Sequence, residues 1–184
     1  MNRRVVVGVS AGILGIAALL WGLHSTQWVI GTDFGIETHV GLRVMEQCQT
    51  VQPRADAPDQ KVCSTFSHGD IARSASKYDG FDTFSLVSHL TFYTGLIAVA
   101  VVLLVMLLAL LGRFPNTAIA PSTVAIMLST MTLLLTGATL SINPWKEIGW
   151  GTGSSSYLAG VGAAACLAAS IVLGRLRPPV QDSW

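Results

Sequence analysis

The chain has 184 residues and a mass of 19.4 kDa, the size of one domain. It is 51% hydrophobic and only 11% charged, with a mean hydropathy of +0.57 and a net charge of +1. Soluble domains carry roughly 25% charged residues, so this composition excludes a water-solvated enzyme and a disordered chain, and the near-neutral charge gives nucleic acid no handle.

A bilayer core about 30 Å thick needs roughly 20 apolar residues in a helix. The first such stretch is expected over residues 5–30, starting at Val5 and running past Trp21 toward Trp28. Its Asn2-Arg3-Arg4 start fits a signal peptide, but the chain after Leu20 reads WGLHSTQW, with no small-x-small cleavage site, so the segment is expected to be retained. Gly8 and Gly12 stand four apart on it, with Ala11 and Gly15 on an overlapping face, and let another backbone approach.

An outer loop over residues 31–85 follows, too long for a simple connector. Alternation through Trp28-Val29-Ile30, Ile36 to Val40 and Leu42 to Met45 predicts strands, and Lys61 to Phe66 reads as a returning strand. Between them QTVQPRADAPDQ reads as an exposed hairpin tip, and Asp70 to Tyr78 as a short helix. Cys48 and Cys63 flank that tip on the side where thiols oxidise, and are expected to form a disulfide worth on the order of 3 kcal/mol. No Cys-x-x-Cys pair offers a reactive thiol, so the bridge reads as structural.

Three further spans are expected at 86–112, 118–142 and 157–174, joined by a tight inner turn holding Arg113 and a short outer loop at 143–156. None of the four spans contains Asp, Glu, Lys or Arg. Such groups usually mark ion and proton pathways, so a pump or primary transporter is not expected. The third span is rich in Ser and Thr without an acid or His to activate them, and they are expected to bond helical carbonyls or neighbouring helices. In the fourth, Gly160, Ala164 and Ala168 form another small-residue row, and Cys166 reads as a packing residue. Trp21, Trp28, Trp145, Trp150 and Tyr157 read as an aromatic belt at the outer interface.

Arg3, Arg4, Arg113, Arg175 and Arg177 all fall on one side, with Asp182 the one acid in those segments. The long loop carries Asp33, Glu37, Glu46, Asp56, Asp59, Asp70, Asp79 and Asp82. The bias puts both termini, with the tail 175–184, in the cytoplasm of a multi-pass cell-membrane protein. Among the histidines, His24 and His89 fall at similar depth near the outer ends of the first and second spans, where a bis-histidine haem would sit. His39 and His68 lack a carboxylate and cysteine cluster at metal spacing. No metal and no cofactor is expected, and the haem is carried only as an alternative.

Taken together, the short inner N-terminus, four spans, large first outer loop and small second one are similar to the claudin and peripheral-myelin-protein superfamily. Trp28 resembles that family's Trp beyond the first span, Gly41-Leu42 its Gly-Leu-Trp, and Cys48 with Cys63 its paired cysteines. Arg43 stands where the second Trp would be, the cysteines are spaced more widely, and the sequence ends Gln181-Asp182-Ser183-Trp184 rather than in a scaffold-binding Val. The resemblance implies a left-handed four-helix bundle bearing a small extracellular antiparallel sheet built from both outer loops. It implies a non-enzymatic role in adhesion, barrier formation or as an auxiliary subunit, with lipid, other membrane proteins or a second copy as partners. The alternative reading is an accessory subunit of a respiratory, photosynthetic or channel complex, and the third is a haem cytochrome using His24 and His89.

Overall fold

The computed structural model describes residues 3–52, 59–74, 80–112 and 119–175. The centre of the expected hairpin tip, the inner turn with Arg113 and the tail beyond Arg175 lie outside the described residues. Within them are five α-helices, α1 (Arg3–His24), α2 (His68–Ser74), α3 (Phe81–Leu110), α4 (Ile119–Ser141) and α5 (Ser154–Gly174). Five strands accompany them: β1 (Val29–Asp33), β2 (Ile36–Val40), β3 (Val44–Val51), β4 (Gln60–Ser67) and β5 (Gly151–Thr152). The four long helices are each long and apolar enough to cross a membrane.

Those helices form a closed ring, α1 against α5, α5 against α4, α4 against α3, and α3 back against α1. Their connections alternate ends, so all strands gather at one end and Arg3 and Arg175 meet at the other. The sheet is antiparallel in the order β4-β3-β2-β1-β5. Its fifth strand comes from the connection between α4 and α5, with Val29 opposite Thr152 and Ile30 opposite Gly151.

Helix ends depart from the sequence expectation for physical reasons. The first helix stops at His24, not near residue 30, because Val29 and Ile30 already pair as strand. The Trp28 indole N–H closes the helix by donating to the Gly22 carbonyl at 2.6 Å. At the other expected boundary, α3 begins at Phe81 rather than Leu86. Its 30 residues rise about 45 Å, well beyond an apolar core, so its first turns stand among the strands.

The seam between α1 and α5 is the tightest in the molecule. A Cβ on Gly22 would lie 2.6 Å from the Ala159 backbone nitrogen, one on Gly15 2.8 Å from that of Cys166, and one on Gly8 2.6 Å from the Leu173 side chain. Each side steps by seven residues, Gly8-Gly15-Gly22 against Leu173-Cys166-Ala159, so the antiparallel seam is a heptad of glycines on α1 met by the α5 backbone at two positions and by the Leu173 side chain at the third. Gly162 completes it against the Leu19 backbone. Gly12, by contrast, faces Met106 on α3. The expected Gly160-Ala164-Ala168 row is not this seam: Gly160 has nothing within 4 Å of its Cβ position, and Ala164 and Ala168 are exposed.

Across the ring, α3 and α4 meet through hydroxyls. Thr91 and Thr139 approach to 3.0 Å while each also reaches its own helix, Thr91 to the Val87 carbonyl and Thr139 to that of Leu135. Two hydroxyl protons serve three contacts there, so one hydroxyl donates across the seam at its own carbonyl's expense. Thr132 and Thr136 donate to carbonyls one turn back, as expected for this span.

Candidate functional site

The sheet end of the molecule gathers an ion pair, a disulfide and three histidines. One sheet face carries Val29, Val40 and Met45 in cross-strand register, buried with Ile71, Phe81, Phe84 and Trp145. The opposite face carries His39, Glu46, Glu37 and the disulfide. That segregation is the period-two alternation visible in the sequence.

Cys48 and Cys63 stand directly opposite on β3 and β4 and are joined as a disulfide. Glu37 reaches the Lys61 ammonium at 2.5 Å and His39 Nε2 at 3.0 Å, tying β2 to β4 over the intervening strand. The Lys61 hydrogen bond and charge, with a smaller contribution from His39, hold the Glu37 carboxyl below its usual value. Glu46 approaches both sulfurs, but bridged sulfurs are not thiolates and cannot bind a cation as such.

The family-like residues sit where chain segments cross. Trp28 and Leu42 are buried in one core with Leu23 and Phe92. Gly41 lies in the β2–β3 turn, where a Cβ would be 2.9 Å from the Ser25 carbonyl oxygen. Arg43, in place of the second Trp, lays its guanidinium over the Phe92 ring at 5.0 Å. Trp28 and Trp145 are therefore core residues and not part of an interfacial belt, whereas Trp21 and Tyr157 are exposed as a belt requires.

Of the four histidines, two, His68 and His89, are neighbours. His24 donates from Nδ1 to the Leu20 carbonyl, packs edge-on to Phe92 and lines a cavity of about 310 Å³ with Trp21, Ser25 and Gln27. His89 donates to the Ser85 carbonyl and packs 5.5 Å from His68. Sequence reasoning missed this pair, since its members lie on different elements. His68 is only 2% exposed, donates from Nε2 to the Gly41 carbonyl at 3.1 Å, and leaves Nδ1 without a partner among the described residues. Burial first, and the charge of His89 second, push His68 down to about 4 against a weaker opposing pull from Gly41.

One further residue was missed. Phe34 occupies the turn between β1 and β2 with φ of 48° and is 95% exposed. With Gly35 at φ 77° it makes the two-residue turn that favours Asn-Gly, and a phenylalanine there carries backbone strain on the order of 1–2 kcal/mol. The signal was the Asp33-Phe34-Gly35 break between two alternating runs. No family model matches this chain, and no curated protein matches it.

Proposed function

We propose that this chain is a multi-pass membrane protein, both termini cytoplasmic, whose outer sheet binds another protein in the manner of the claudin-like superfamily, without catalysing a reaction. Phe34 carries the reading. A large aromatic side chain held in a strained turn and 95% exposed gains almost no burial against the described residues, and such strain collects at recognition sites. The neighbouring architecture supports it. Every residue of the edge strand β4 is exposed, Val62 and Phe66 included, and the disulfide keeps that strand extended. A sheet completed by β5 from the second loop, with buried Trp28 and Leu42, also matches what the resemblance implies.

The substitution Phe34→Asn separates recognition from folding. Asn suits a left-handed turn, so the variant should reach the membrane normally and melt at or slightly above the wild-type temperature. Proteins that co-extract with the wild type in mild detergent, or the self-association of the chain, should be lost. An unchanged set of associated proteins would defeat the proposal.

The accessory-subunit alternative draws on the outward-facing Gly160, Ala164 and Ala168, which leave α5 a shallow groove open to another helix. Its mark would be a stoichiometric membrane complex that survives Phe34→Asn and dissociates with Ala164→Leu.

A further inference from the structure

Cys48 and Cys63 meet across β3 and β4, and the Glu46 side chain approaches the same pair. One Glu46 carboxylate oxygen and the two sulfurs all lie within 4.8 Å of one another. We propose that reduction of the disulfide turns this cluster into a binding site for one zinc ion, held by two thiolates and a carboxylate. The site depends on neither the membrane reading nor the recognition reading above.

Strand register keeps the ligands together once the bridge opens. Eight residue pairs link β3 to β4, from Val44 with Ser67 to Val51 with Gln60, and the cysteines form one of the inner pairs. The backbone ladder therefore holds the two side chains opposite each other without a sulfur–sulfur bond. Glu46 precedes Cys48 by two residues and so shares its face of the sheet. Tetrahedral zinc takes each sulfur at about 2.3 Å, which sets the sulfurs roughly 3.8 Å apart, a change that side-chain rotation covers.

The donors select the metal. Two thiolates, one carboxylate and a water complete the four positions zinc prefers, whereas calcium and magnesium take all-oxygen shells. Glu46 is available for the role. Its described contact is a long one from the Thr26 hydroxyl at 3.4 Å, and it forms no ion pair among the described residues. Lys61, the basic side chain on the same face, is engaged by Glu37.

The redox step balances with a dithiol protein as reductant. Its thiolate attacks the sulfur of Cys63, an exposed residue of the edge strand, and the bond breaks with buried Cys48 leaving as thiolate. The reductant's second thiol then displaces Cys63 and departs as a disulfide, having passed two electrons to the pair. Zinc takes the place of the two thiol protons, which pass to water. A disulfide oxidant that takes back the two electrons expels the ion and restores the bridge. Bridge and metal are thus alternative staples for one strand pair.

The test uses the full-length protein in neutral detergent, reduced with a phosphine that adds no competing thiol, and Zn²⁺ or Cd²⁺ alone as probe. Reduced wild type should bind one ion per chain, seen as sulfur-to-cadmium charge-transfer absorption that zinc displaces. The oxidised protein should bind neither ion, and excess Ca²⁺ should not compete. Cys63→Ser should abolish the absorption although Cys166 is still present. Loss of even an outer partner of a metal ligand costs roughly 10- to 100-fold in affinity, so Glu46→Gln should weaken binding at least about tenfold. Asp33→Asn, two strands away on β1, should leave it unchanged and controls for charge. Mapped alkylation gives a second readout: zinc should protect both Cys48 and Cys63 of the reduced protein, and much less so in Glu46→Gln. Equal binding before and after reduction would overturn the redox gate, and undiminished binding by Glu46→Gln would overturn the three-ligand site. Competition by calcium would make this a carboxylate site and overturn the zinc assignment. Reduced protein that binds neither ion, whatever its melting temperature, would overturn the site itself.

Discussion

The two facing seams of the bundle are closed by different means. Between α1 and α5 the backbones touch at Gly15 and Gly22, because a glycine there leaves nothing between them. Between α3 and α4 the contact is made by hydroxyls, with Thr91 and Thr139 sharing protons across the gap. In a bilayer, burying apolar side chains gains little, since lipid is as apolar as they are. Association must come from close van der Waals contact or from polar bonds, and this molecule assigns one to each seam. The backbone seam is intolerant of an added atom at Gly15 or Gly22, while the hydroxyl contact risks only one modest bond.

The sharpest break of that contrast is Gly22→Ala. Its Cβ would stand 2.6 Å from the Ala159 backbone nitrogen, which no rotamer change can relieve, and overpacking of this kind costs about 1–3 kcal/mol. Melting temperature in detergent should fall clearly, and Ala159→Gly should fail to restore it, because the nitrogen remains. Full rescue would mean that the side chains, and not the backbones, set the spacing.

Acid should part the two sides of the molecule. His68 takes up its proton near pH 4 in the fold and near 6.5 when released. Between those values the opened form binds a proton that the folded form refuses, so stability falls as pH drops through that window and is unaffected above it. The full effect is on the order of 3 kcal/mol and acts where α2 docks on α3. Hydrogen exchange should quicken around His68 and the start of α3 at pH 4.5, leave the α1–α5 seam protected, and lose this pH dependence in His68→Gln. Uniform quickening would show that the seams do not respond separately.

Smaller still is Thr139→Val, which keeps the shape and removes the shared proton. Thr91 retains the Val87 carbonyl, so no orphan is left, and the loss should be about 0.5–1 kcal/mol by thermal melting. The least effect belongs to Gly160→Ala. With nothing within 4 Å, the change should be neutral or add up to about 1 kcal/mol of helix preference. A drop in complex yield at unchanged melting temperature would instead identify that row as a partner face.

Reading the sequence located the four long helices, the β3–β4 staple and the strands, because apolar length, alternation and cysteine placement are local signals. Helix ends were less legible. Hydropathy sees lipid compatibility, not the point where Trp28 caps α1 or where α3 rises among strands. The α5 seam was hidden by abundance: Ala159, Gly160, Gly162, Ala163, Ala164 and Ala168 offer several small rows, and only the position of α1 selects one. Strand β5 is two residues long and has no pattern of its own. The His68–His89 contact joins elements that no periodicity connects.

The α1–α5 seam also has a history in time. Helix α1 leaves the ribosome well before α5, its main partner, so at ordinary synthesis rates its glycine stripe waits roughly 10–30 s for a match. The last edge strand and the last helix arrive together, fastening Gly153 to the Trp28 carbonyl and Ser155 to Ser25 in a single closing event. Until then the sheet lacks an edge and the bundle lacks a wall. A chain stalled or cut before residue 150 would thus be a half-built membrane protein offering its most adhesive surface to its neighbours, and quality-control machinery would meet it as a naked glycine helix.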